Sequence, residues 1–240
     1  MPIFHHLAAV ETDDGPMPVY AAYPEGPGPF PAVVVISGQP GPSSPEFLGA
    51  ERLAQHGYVG AAFDLMHRGP TIHSFAEQGP RRNALTDPQT IMDMNAGLAY
   101  LQGLPFVQGD SLGIAGFCMG GRVAFMMATL RPDLRVVVDA YGSGIFEEMG
   151  AAAPSAGAAN ISCPVLILNG DADPVCPVDE VNQVKAELDR LGKLNEVHFY
   201  PGIGHGFMTR GPKEVTEDAW ERILVWCDRY LVREPAAAKA

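Results

Sequence analysis

Cysteine is scarce in this chain: Cys118, Cys163, Cys176 and Cys227 are the four among 240 residues. They form no C-x-x-C pair and are too sparse for a disulfide framework, so reduced thiols in a cytoplasmic setting are expected. Long apolar runs are missing too. A run such as "AVVVI" at 32–36 is far too short to cross a bilayer. Positive charge is short, with 16 Lys and Arg against 28 Asp and Glu, a net charge of −12. Such a chain repels polyanions, which argues against a nucleic acid or an anionic membrane surface as partner. The N-terminus, "MPIFHHLAAVETDDGP", lacks a basic leader region and does not read as a signal peptide. Its His5–His6 pair has no further ligands nearby and reads as solvated rather than metal-binding. No internal repeat is present.

What remains is an apolar, globular composition, 47% hydrophobic and 18% charged. Strand-like and helix-like segments alternate along it. Strands are expected at 19–24, 32–38, 58–64, 111–117, 135–141, 164–170 and 195–202. Helices are expected at 44–57, 87–103, 119–130, 177–192 and 213–231, with Asp87 and Pro88 as an N-cap and N1 pair. Strands separated by helices of this length make βαβ units. The fold class is therefore α/β, a doubly wound, mostly parallel sheet with helices on both faces. One domain over 1–240 is expected, with 1–17 and 232–240 loose. In such sheets the reactive groups sit on loops beyond the carboxyl ends of the strands.

One such end carries "GIAGFCMGGRVAFMMA" (113–128). Cys118 stands between Gly116 and Gly120, after a strand and before a helix. G-x-C-x-G in that setting is the cysteine form of a nucleophile elbow, where glycines free a sharp turn from clashes and a helix N-terminus favours a thiolate. A small buried hydrophobe in a Gly-rich packing turn is the competing reading. A reactive thiol needs a base, and His205 in "PGIGHGFMTRG" (201–211) lies just past the last strand. The base needs an orienting carboxylate. "NGDADPVCP" (169–177) offers Asp173, with Asp171 as second choice. The chain order of nucleophile, acid and histidine is the one α/β-hydrolases use. No metal and no organic cofactor is required.

These motifs, "GFCMGG", "GDADPVCP" and "GHGF" with "DLMHR" in support, resemble the dienelactone hydrolases of the α/β-hydrolase superfamily, over about residues 18–230. The resemblance implies a Cys118–Asp173–His205 triad that opens small lactones or esters, and it favours Asp173 over Asp171. It also implies arginines that hold a substrate carboxylate. Arg68 matches one such position, and Arg210 lies one residue away from another; Arg81 and Arg82 fall in the loop expected to overhang the site. Two departures stand out. Where the family usually carries a glutamate beside the thiol this chain has Gln39, and Pro40, which has no N–H, follows at an expected oxyanion-hole position.

The expected chemistry is two-step acyl transfer through a thioester. Met119 N–H is one oxyanion donor, and the other comes from Gln39, Gly41 or a side-chain amide. Gln39, Arg68 and Arg210 are the candidate substrate contacts, and the partner is a small ester or lactone, anionic if the arginines serve it. A different class of function, a hydrolase-fold binding protein or thiol sensor without ester turnover, is the alternative that Gln39 and Pro40 favour.

Overall fold

A computed structural model describes residues 1–36, 38, 44–68 and 85–232. Eight strands form one sheet in the order β1-β2-β4-β3-β5-β6-β7-β8. They are β1 (Ile3–Thr12), β2 (Gly15–Pro24), β3 (Phe30–Ile36), β4 (Val59–Phe63), β5 (Val107–Phe117), β6 (Leu134–Ala140), β7 (Val165–Gly170) and β8 (Asn195–Tyr200). β2 runs antiparallel to β1 and β4, and every other pair is parallel. Strands β3, β4 and β7 read as continuous apolar runs because both faces of the central sheet are covered. Ala32–Ile36, Val59–Phe63 and Val165–Gly170 are all buried.

The helices are α1 (Ser44–Gln55), α2 (Asp87–Gln102), α3 (Met119–Leu130), α4 (Val178–Arg190), the one-turn α5 (Phe207–Arg210) and α6 (Lys213–Tyr230). α3 is buried on nearly all sides, from Gly120 to Thr129. α6 lays Trp220, Ile223 and Trp226 against the core and its charged residues outward.

Two expectations change. Residues 1–17 are not loose: β1 pairs with β2 along its whole length, from Ile3 opposite Pro24 to Thr12 opposite Gly15. Its alternation of half-buried and exposed residues suits an edge strand, and His5 and His6 meet the hydroxyls of Tyr20 and Tyr100 at 2.8 and 2.6 Å. The N-cap of α2 is Thr86, whose N–H donates to Gln89 Oε1 at 3.3 Å. Asp87 is thereby the first helical residue, with its carboxylate free for another contact. Between β6 and β7, Pro154–Asn160 forms a short 3-10 helix.

Candidate active site

The parallel strands deliver their carboxyl ends to one edge of the sheet, and the sequence-expected residues converge there. Cys118 follows β5 directly and has φ 59° and ψ −123°, a conformation an L-residue holds only under constraint. Three hydrogen bonds supply that constraint. Cys118 N–H donates to Ala140 O at 2.9 Å, and Cys118 O accepts from Gly121 N–H at 2.9 Å and Arg122 N–H at 3.3 Å. The turn closes only with glycine at both positions, since a Cβ on Gly116 would run into the Gly120 carbonyl, and one on Gly120 into the Ile36 carbonyl. As the first residue of α3, Met119 leaves its N–H without an intrahelical acceptor, at the positive end of the helix.

The loop after β8 brings His205 over this turn. Its Nε2 lies 3.0 Å from Cys118 Sγ, and its Nδ1 lies 2.8 Å from Asp173 Oδ2. A proton on Nδ1 held by the carboxylate leaves Nε2 facing the sulfur. Asp173 is itself fixed, since its Oδ1 accepts from Val175 N–H at 2.8 Å and Cys176 N–H at 3.0 Å. Burial pulls the His205 pKa down, but the Cys118 sulfur and the Asp173 carboxylate outweigh it, and the net shift is upward from 6.5. Tyr141, directly after β6 with φ 45°, packs edge-to-face with His205, the ring centroids 4.9 Å apart.

The two candidate carboxylates part company here. Asp171 Oδ1 accepts from Gly202 N–H at 2.6 Å, which ties down the loop leading to His205, while Asp173 reaches the imidazole. Arg68 turns to Asp93, at 2.5 and 2.8 Å, and to Asp14 at 2.6 Å. The Asp93 pairing holds its guanidinium well above its ordinary pKa. Arg210 is exposed, and its Nη2 lies 2.8 Å from where a Gly206 Cβ would stand, next to His205. Gln39, Pro40, Gly41, Arg81 and Arg82 lie outside the described residues. Among the described residues, no group of three or more His, Cys, Asp or Glu side chains is placed to hold a metal ion, and no helix is long and apolar enough to cross a membrane.

Several contributors were not read from the sequence. Gly38 packs on Cys118, and a Cβ there would lie 2.6 Å from Cys118 Cβ and 2.8 Å from Sγ. Its signal was available as a glycine at the end of a central strand. Arg122, one charge inside an apolar helix, is 4% exposed and pairs with both oxygens of Asp87. Asp139 is buried beneath the elbow and accepts from Gly142 N–H at 2.8 Å.

Comparison with known proteins agrees with this architecture. The sequence matches the model of the dienelactone hydrolase family over residues 17–231. A protein of Methylorubrum extorquens named "Putative carboxymethylenebutenolidase" is 29% identical over 233 residues, spanning 93% of this chain and 80% of that protein. Among solved structures, a "Putative Dienelactone Hydrolase" from Klebsiella pneumoniae superposes with a TM-score of 0.88 at 26% identity, covering 96% of this chain and 100% of that one. A dienelactone hydrolase-like promiscuous phosphotriesterase from metagenomic libraries superposes with a TM-score of 0.85 at 21% identity, over 97% and 100% of the two chains; that likeness bears on the fold alone.

Proposed function

We propose, for a chain that belongs to the dienelactone hydrolase family, a two-step hydrolysis in which Cys118 is the nucleophile, His205 its base and Asp173 the group that orients His205. The chain is a hydrolase of carboxylic esters or lactones; the triad is the mechanism we assign to it. The carrying observation is the unbroken line from Sγ to Nε2 at 3.0 Å and from Nδ1 to Oδ2 at 2.8 Å. A buried packing cysteine has no need of an imidazole so placed, or of a strained turn at a helix N-terminus.

In the first step the thiol proton passes to His205 Nε2 and Sγ bonds to the carbonyl carbon. Met119 N–H and a donor near Gln39 receive the oxyanion. The C–O bond then breaks, and the imidazolium returns its proton to the leaving oxygen. In the second step His205 takes a proton from water, whose oxygen attacks the thioester and displaces the thiolate. Esters and lactones suit this route better than amides, because a thiolate leaves more readily than an amine. A chain of −12 net charge whose Arg68 is engaged by two aspartates favours uncharged substrates, with Arg210 as the cation to serve an anionic one. The binding-protein or thiol-sensor alternative is not favoured by the family relationship.

The test is turnover of a 4-nitrophenyl ester and of cis- and trans-dienelactone by wild type, Cys118→Ala and His205→Ala. Both variants should lose activity while keeping the circular dichroism of the fold. Activity that survives Cys118→Ala would sink the assignment.

A further inference from the structure

Alongside the N-terminal turns of α3 lies a cavity of about 50 Å³. Met119, Arg122 and Val123 line it from the helix, Leu85 from the approach to α2, and Ser143 and Met149 from the loop after β6. Met119 is the residue next to the thiol, so the cavity begins one residue from the reacting sulfur.

Its walls are built rather than incidental. Arg122 Nε donates to Gly144 O and Nη2 to Glu147 O, both at 2.9 Å, while Nη1 and Nη2 hold the two oxygens of Asp87. Gly144 is pinned from its other side, where its N–H donates to Glu180 Oε1 at 2.8 Å. Asp87 N–H donates to Met149 O at 2.9 Å, which fastens the loop to the start of α2. The guanidinium thus spends four of its five N–H donors within the protein, and its charge is met by Asp87. Among the described lining residues, Thr90 and Ser143 are polar side chains outside this network, and Glu147 enters it through its backbone carbonyl.

We propose that this cavity is the acyl subsite of the enzyme and that it admits a short, uncharged acyl group. The inference rests on Cys118 being the nucleophile. Three observations carry it. The first is position: the acyl group stays on Cys118 through both steps, and the leaving group takes its proton from His205. None of the described residues lining the cavity comes from the loops after β7 and β8, which carry Asp173 and His205. The retained group and the departing group are thereby assigned to opposite sides of the sulfur. The second is charge: among the described lining residues the one cation, Arg122, is neutralised by Asp87, and Glu147 adds a further acidic residue, so they offer no spare cation to a carboxylate and a desolvation cost to any charged group. The third is size. A cavity of about 150 Å³ takes benzene, so one a third as large holds roughly two or three heavy atoms.

Wild type should hydrolyse 4-nitrophenyl acetate at least about tenfold better, in kcat/KM, than the hexanoate, the scale on which pocket size discriminates single methylenes. Val123→Ala deepens the inner wall and Met149→Ala opens the partly exposed rim. Each should raise the butyrate-to-acetate ratio of kcat/KM by about tenfold. Because Val123 is buried, Met149→Ala keeps the test decisive if the first variant fails to fold. Ester turnover with a flat chain-length profile, or ratios within about twofold of wild type in the folded variants, overturns the subsite and leaves the nucleophile standing. Absence of Cys118-dependent ester turnover overturns both.

Discussion

Gly38 and Cys118 touch so closely that position 38 has no room for a side chain: a Cβ would stand 2.6 Å from Cys118 Cβ and 2.8 Å from Sγ. Glycine two residues past β3 therefore sets where the thiol can be. Gly38→Ala must displace Cys118 from its present place, and a displacement near 1 Å at a reacting atom costs on the order of 100-fold in rate. The expected outcome is a loss of kcat of that size together with a destabilisation of about 1–3 kcal/mol, the usual cost of overpacking. Wild-type kcat in a folded Gly38→Ala protein would show that the contact is not what positions the sulfur.

His205 takes part in a pH dependence whose sign follows from its environment. Burial lowers its pKa, but the sulfur and the Asp173 carboxylate raise it further, so the folded value exceeds the unfolded 6.5. The proton is bound more tightly in the folded state. This stabilisation is complete below 6.5 and is lost as pH rises through the folded value. Asp173→Asn removes one of the raising charges. An NMR titration of the imidazole should show its midpoint above 6.5 in wild type and lower in the variant, with kcat reduced by a factor on the order of 10³–10⁴. Equal midpoints would contradict the pairing.

Asp139 adds a second pH dependence of the same sign, from a different cause. Burial pushes its carboxyl up to about 7, assisted by nearby Glu180 and only partly offset by the Gly142 N–H. Between its unfolded value of 3.8 and about 7 the folded state binds a proton that the unfolded state has released. Stability therefore falls with rising pH across that window and stays reduced above it. Asp139→Asn keeps an oxygen for Gly142 but cannot ionise. Its urea midpoint should gain on wild type as pH moves from about 4 to about 8. A constant difference would mean that Asp139 is not buried as an acid.

Much of the fold was legible because period and punctuation agree. The apolar run 32–36, the helix over 119–130 and the glycine-framed Cys118 each had a local cause, and the order Cys118, Asp173, His205 followed from strand ends. β1 was missed because an edge strand, half solvated, mixes His5, His6 and exposed Leu7 among its apolar residues, so its sequence does not alternate apolar with polar although its burial nearly does. Thr86 was missed as N-cap because Asp87–Pro88 offers the same chemistry one residue later. What Asp87 does instead depends on Arg122, 35 residues away, and no local pattern carries a contact of that range. The same holds for Arg68, whose partners Asp93 and Asp14 are remote in sequence. Asp171 and Asp173 have nearly equal claims by spacing, and the bond from Gly202 to Asp171 that separates their roles exists only once β7 and β8 are paired.

The most direct measurement is identification of the acyl-enzyme. Acid quenching during the first turnovers of 4-nitrophenyl acetate, followed by peptide mass spectrometry, should find one acetyl group as a thioester on Cys118. That adduct should disappear in Cys118→Ala and fail to form in His205→Ala. Acetyl on another side chain, or steady turnover with no adduct and no burst of nitrophenol, would contradict the account.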